Sequence, residues 1–146
     1  MFIGGFSHTL DKKGRVVLPS RFREVIKDKY IESFIMTKWM DNCLCLFPIK
    51  EWKAFEQELN EKPKGDNNVR PFNRLLYASA IEVVVDKQGR IFISNHLRML
   101  VGIDRDVFIL GHSNRIEIWS KKNWEEYSRT TKPLEEYAQE LSKLGV

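Results

Sequence analysis

Phe6, His8 and Leu10 recur with a period of two, as do Ile81, Val83 and Val85. That period is the signature of a half-buried strand. Each run ends at an Asp-Lys-x-Gly tetrapeptide, Asp11 to Gly14 and Asp86 to Gly89. Asp suits the first position of a tight turn because its carboxylate accepts turn N–H groups, and Gly tolerates the left-handed conformation that closes it. A strand beginning at Arg15 or Arg90 would then complete a hairpin. Pro19 and Ser94 open short helices, Pro being tolerated in a first turn and Ser being a good N-cap. Those helices carry Phe22, Val25 and Ile26, or Leu97, Leu100 and Val101, with Gly102 as a C-terminal stop.

The pattern then predicts a second hairpin in each half, Phe34–Lys38 with Cys43–Phe47 and Val107–Leu110 with Ile116–Trp119. Asp41-Asn42 and His112-Ser113-Asn114 supply turn-forming residues. A helix closes each half, with Ile49, Trp52, Phe55 and Leu59, or Trp124 and Tyr127, at helical spacing. Glu61 to Asn68 is polar with Pro and Gly, which reads as a linker, and Pro71 to Ala80 reads as a connecting helix. Leu134, Tyr137, Ala138, Leu141 and Leu144 form the apolar stripe of a C-terminal amphipathic helix.

The two halves are copies of one another. Asp11-Lys-Lys-Gly-Arg-Val-Val-Leu-Pro-Ser-Arg-Phe-Arg23 lies 75 residues before Asp86-Lys-Gln-Gly-Arg-Ile-Phe-Ile-Ser-Asn-His-Leu-Arg98, with five of 13 positions identical. Phe47, Trp52 and Phe55 align with Trp119, Trp124 and Tyr127 at an offset of 72. The division is a first repeat over 1–60, a linker and connecting helix over 61–80, a second repeat over 81–131 and the C-terminal helix over 132–146. Two copies are too few for a solenoid, so they should pack together as one pseudo-dimeric domain. Two sets of four short strands with peripheral helices make an α+β, barrel-like architecture.

At 146 residues, 42% hydrophobic and 30% charged, the chain can bury a core, and widespread disorder is excluded. No apolar run approaches the roughly 20 residues of a membrane-spanning helix. The N-terminus lacks the basic and apolar regions of a signal peptide, so a cytoplasmic protein is expected. Cys43 and Cys45 are i and i+2 on a strand, too far apart for a relaxed disulfide, and read as reduced core residues. The net charge is +4, and its excess lies wholly in residues 1–75, with 14 Lys/Arg against 10 Asp/Glu. Between Lys12 and Lys29 there are seven basic residues against two acidic. A local basic cluster raises nucleic acid as a partner.

No enzyme motif accompanies it. There is no phosphate-binding glycine loop, no His-Glu-x-x-His and no Gly-x-Ser-x-Gly. His8, His96 and His112 have no spaced partners of ligand type, and His8 aligns with Val83 as a strand residue. No catalytic residue, metal or cofactor is expected. What repeats is Asp-x-x-x-Arg. Asp11, Gly14, Asp86 and Gly89 read as turn-forming, whereas Arg15 and Arg90 project at the tips beside Lys12, Lys13 and Lys87. A planar guanidinium suits phosphate oxygens or the O6/N7 edge of guanine.

The segment from Phe6 through Asp11, Gly14, Arg15 and Pro19 to Arg23 resembles the N-terminal signature of the MraZ family, and the likeness runs end to end. One such motif is shared with AbrB-type DNA-binding domains; two in a chain of this length are far more specific. The resemblance implies a double-split β-barrel of two AbrB-like repeats, ring-shaped homo-oligomers, and binding to direct repeats in double-stranded promoter DNA. It also implies a nucleoid-associated regulator of its own gene and of the division and cell-wall cluster that follows. The family's DNA-contacting arginine matches Arg15, and the second motif's matches Arg90. Because Lys12, Lys13, Arg21 and Arg23 lie near Arg15 in sequence, Arg15 is expected to outweigh Arg90. Trp39, Trp52, Trp119 and Trp124 exceed what one small domain covers, which points to an interface. The competing reading is a ring-forming protein-interaction scaffold whose basic cluster merely solubilises it.

Overall fold

The computed structural model describes residues 1–146. Eight strands and six helices follow one another as β1 (Phe2–Thr9), β2 (Arg15–Val17), α1 (Ser20–Asp28), β3 (Phe34–Lys38), β4 (Leu44–Pro48), α2 (Ile49–Asn60), α3 (Val69–Ser79), β5 (Ile81–Val83), β6 (Arg90–Phe92), α4 (Asn95–Leu100), β7 (Asp106–Ser113), β8 (Arg115–Ser120), α5 (Lys121–Thr130) and α6 (Leu134–Ser142). Six strands form an antiparallel sheet in the order β1-β7-β8-β4-β3-β5, and β2 and β6 form a separate two-stranded ribbon. The order is palindromic in the repeats. A pseudo-two-fold axis between β8 and β4, and between β2 and β6, exchanges β1 with β5, β7 with β3, and first-repeat helices with their second-repeat counterparts.

The second hairpin of each repeat, β3–β4 and β7–β8, forms as the alternation requires. The first does not. β1 pairs along eight positions with β7, from Phe2 opposite Ser113 to Thr9 opposite Asp106. β5 likewise pairs with β3, and β2 pairs with β6. The Asp-Lys-x-Gly turn therefore reverses the chain without making a hairpin. A local β1–β2 ladder could span only the three residues of β2, whereas exchange between repeats gives β1 eight partners. It also sends Val16 and Leu18 inward beside Ile91 and Ile93, all at most 1% exposed.

Those four residues join Phe34, Met36, Leu44, Leu46, Val107, Ile109, Ile116 and Ile118 of the sheet in a single core of 19 buried residues. Burial of apolar side chains drives this packing at about 25 cal/mol per Å², and both repeats contribute residues to that one core. A second, smaller cluster lies on the other face of the sheet, where α2 and α3 cover Cys45, Phe47, Trp52 and Leu76.

The tryptophans are correspondingly better covered than their number implies. Trp52 and Trp119 are buried, Trp39 and Trp124 half-buried, and Trp124 stacks on Phe108 at 4.5 Å. The exposed apolar surface belongs instead to α6, in which no residue is buried, and to residues such as Ile3, Leu75 and Met99. No helix is long and apolar enough to cross a membrane.

Candidate nucleic-acid interface

The two Asp-x-x-x-Arg segments fold into the same turn. The Asp11 carboxylate accepts from the backbone N–H groups of Lys13 and Arg15, each at 2.9 Å, and from Arg15 Nε at 2.8 Å. Asp86 accepts from the N–H groups of Gln88 and Arg90 and from Arg90 Nε at the same three distances. Gly14 and Gly89 close the turns at φ +86° and +79°, a region that L side chains avoid. These bonds, above all the N–H of Arg15 or Arg90, hold both carboxyls below the ordinary aspartate range.

The arginines do not project freely from a tip. Each guanidinium is tied to its aspartate through Nε, and the arginine side chain is only 30% (Arg15) or 25% (Arg90) exposed. Its outer edge, with both Nη atoms, stays outside that bond. The charge is thus fixed in direction, which lowers the entropy lost when a planar fork meets a planar acceptor.

Strand register places the two arginines together. Arg15 lies opposite Phe92 and Arg90 opposite Val17 on the β2–β6 ribbon, and residues directly opposite share a face. That face is the outer one, because Val16 and Ile91 between them point into the core. Arg15 and Arg90 are diagonal neighbours, a separation of about 7–8 Å between Cα atoms, with exposed Phe92 (52%) and Val17 (38%) completing the surface. Lys12, Lys13 and Lys87 are exposed in the turns at its two ends. Phe92 and Val17 carried no mark of their own in the sequence; only the exchange of strands brings them beside the arginines.

The exchange also relocates charge. Arg23, on α1 of the first repeat, lies against Gly89: a Cβ there would sit 2.3 Å from Arg23 Cδ. Arg23, Lys27, Asp86, Lys87 and Gly89 line one cleft of about 270 Å³. Arg98, on α4 of the second repeat, lies against Gly14. Each turn is therefore flanked by the arginine of the opposite repeat, and Arg23 and Lys27, which follow Arg15 in sequence, stand beside the second turn in space. The sequence signal for this pair was available in the last identity of the 13-residue alignment.

His8 is half-buried on β1, and burial together with the Arg23 charge lowers its pKa. Cys43 and Cys45 are buried free thiols whose pKa values are pushed far up by burial, the setting of inert core cysteines. No three His, Cys, Asp or Glu side chains converge as metal ligands do.

The sequence profile of the family described as "MraZ protein, putative antitoxin-like" matches this chain twice, over residues 1–75 and 76–144. The chain is 44% identical to proteins named transcriptional regulator MraZ from Caldanaerobacter subterraneus and Acetivibrio thermocellus, over the full length of both chains in each case. It is 40% identical to the protein of that name from Clostridium tetani, again over the full length of both. Among solved structures, PHS018 from Pyrococcus horikoshii shows a loose likeness, with a TM-score of 0.32 at 17% identity over 81% of this chain and 88% of that one. Matched twice by the family's profile and end to end by its members, the chain belongs to the MraZ family.

Proposed function

We propose that this protein is a non-enzymatic transcriptional regulator that binds double-stranded promoter DNA through the outer face of the β2–β6 ribbon. One observation carries the reading: the register that sets Arg15 and Arg90 side by side on an exposed face, each aimed by its own aspartate. A two-stranded ribbon fits the major groove, and the outer edge of a guanidinium can donate to guanine O6 and N7. Lys12, Lys13 and Lys87 neutralise the flanking phosphates, which supplies affinity and its salt dependence. The names of the full-length relatives agree with such a role. In this reading the six-stranded sheet and the ribbon are the two parts of a double-split β-barrel, and the protein acts in the cytoplasm at the nucleoid.

One ribbon touches few phosphates, so a single chain would bind weakly at physiological salt. The reading therefore includes a homo-oligomeric ring that presents ribbons at fixed spacing to direct repeats upstream of its own gene and the division and cell-wall cluster. Linkage of that kind raises affinity by about 10²–10⁴ through effective concentration alone. Gel shifts with the DNA upstream of this gene, against a scrambled competitor, test the binding. Deleting one repeat, or changing the spacing by half a helical turn, should weaken it steeply. If a single-repeat duplex binds as tightly as the tandem one at equal salt, the multivalent part is wrong. Light scattering that gives only the 17.3 kDa mass of one chain across the micromolar range would remove the ring.

A further inference from the structure

We propose that Arg23 and Arg98 are positioning residues, each locking the Asp-x-x-x-Arg turn of the opposite repeat, so that the helix of one repeat holds the turn of the other. The consequence for binding rests on the DNA reading above; the locking itself does not.

Around the second turn the contacts close a circuit. The Gly89 carbonyl accepts from the Leu18 N–H at 2.9 Å, the Leu18 carbonyl accepts from Arg23 Nε at 3.1 Å, and the Arg23 stem lies on Gly89. The strand exit, the helix and the opposing turn are therefore fixed by one side chain. At the first turn the Gly14 carbonyl accepts from the Ile93 N–H at 2.9 Å, and the Arg98 guanidinium carbon would sit 3.3 Å from a Cβ on Gly14. The match is not complete. Arg98 Nε is buried without a hydrogen-bond partner, where its counterpart Arg23 has the Leu18 carbonyl. The first turn is thus held by contact and the second by contact plus a bond.

This arrangement accounts for two otherwise separate identities in the repeat. A side chain on either glycine would be strained at its positive φ and would also displace the arginine laid across it. The arginine, nine residues beyond the turn of its own repeat, serves the other one. Movement of α1 reaches Arg90, and movement of α4 reaches Arg15.

The amide spectrum of 15N-labelled full-length protein tests the locking without DNA. Arg23→Ala and Arg23→Lys should shift the signals of Lys87 to Arg90 and spare those of Lys12 to Arg15. Arg98→Ala should do the reverse. Fluorescence anisotropy with the duplex upstream of this gene then tests the coupling. Arg23→Ala combined with Arg90→Ala should weaken binding no more than Arg90→Ala alone, within about twofold, whereas combined with Arg15→Ala the two losses should multiply. Lysine at position 23 should not rescue, because it cannot reproduce the Nε bond together with the stem packing. Shifts confined to the first turn, independent multiplication with Arg90→Ala, or rescue by Arg23→Lys with a shallower salt slope would each overturn the proposal; the last two would make Arg23 a direct phosphate contact. If the duplex fails to bind wild-type protein, the DNA reading falls while the amide pattern still decides the locking.

Discussion

The two repeats agree where their hydrogen bonds are made and diverge in what surrounds them. Asp11 and Asp86 accept the same three bonds at the same distances. Helix α3, which follows the first repeat, buries Leu76 against Phe47 and Trp52 and receives the Thr37 hydroxyl on the Leu76 carbonyl at 2.8 Å. Helix α6, which follows the second, buries nothing. In sequence both are amphipathic helices of similar length. An apolar stripe therefore records that a helix can pack, but not whether its own chain provides the surface.

The sharpest break in this comparison should come from leucine truncation. Leu76→Ala should lower unfolding stability by about 2–5 kcal/mol, the usual cost of a buried leucine. Leu141→Ala, at 46% exposure, should stay within about 0.5 kcal/mol in dilute protein. Urea midpoints at low micromolar concentration measure both. An equal loss from Leu141→Ala would mean that α6 is packed in solution, and its dependence on protein concentration would say whether against a second copy.

At the turns the expected asymmetry shrinks. The segment from Lys12 to Lys29 holds seven basic residues against two acidic, and the equivalent segment 87–104 holds three against one. Strand exchange sets Arg23 and Lys27 beside the second turn and Arg98 beside the first, which evens the local charge. Arg15→Ala and Arg90→Ala should each weaken DNA binding by about 10–100-fold, the range for one well-placed arginine, and within about threefold of each other. The sequence ranking of Arg15 above Arg90 returns if the losses differ by tenfold. Because each substitution removes one partly exposed Asp–Arg pair, a kind of contact that contributes little to stability, melting temperatures should fall only slightly and by similar amounts.

Most elements were legible because their causes are local. The second hairpins follow from alternation, and Ser94 caps α4 by accepting from the Leu97 N–H. Asp41 and Asn42 turn the chain at positive φ. The pairing of Asp11 with Arg15 is also local, four residues apart. What was not legible is partner choice. Nothing within 75 residues of Asp11 distinguishes a hairpin from exchange, since both put Val16 and Leu18 on an apolar face, and only the shared core decides. That one ambiguity displaced the arginines from tips to a ribbon face, hid Phe92 and Val17, and set Arg23 and Lys27 beside the second turn rather than the first.

A smaller effect probes the turns through their glycines. Gly14→Ala and Gly89→Ala each force a left-handed backbone on a side chain, at a cost of about 1–2 kcal/mol. The neighbours differ: Gly14 faces the Ile93 carbonyl at 3.1 Å and the Arg98 guanidinium at 3.3 Å, whereas Gly89 faces the Arg23 stem at 2.3 Å. Gly89→Ala should therefore lose slightly more stability, because it must displace Arg23 from its bond to the Leu18 carbonyl. Urea denaturation read beside the Arg23→Ala variant separates them, because removing the stem should relieve part of the Gly89→Ala loss and none of the Gly14→Ala loss.

The smallest difference lies in pH dependence, where the repeats share one group and differ in another. Asp11 and Asp86 have pKa values depressed by their turn bonds. The folded chain therefore releases those protons more readily than the unfolded one, so their contribution is fully present above the ordinary carboxylate value of about 4. It is lost as pH falls through the lower folded values. Asp11→Asn and Asp86→Asn should each flatten the decline in stability below pH 4 by a similar amount. His8 occupies the position that Val83 holds in the second repeat, and its pKa is also lowered, by burial first and by Arg23 second. For a base this means that the unfolded chain takes up the proton first as pH drops below about 6.5. Stability is complete above that value and falls beneath it, in the same direction as for the aspartates but in a window well above theirs. His8→Val, which installs the residue of the other repeat, should remove the slope between pH 5 and 7 and leave the one below pH 4 unchanged. Urea midpoints across pH 3 to 8 show both windows. A slope near neutrality that survives His8→Val would place its origin in another group, the Met1 amine with its pKa lowered beside Lys29 being the first to test.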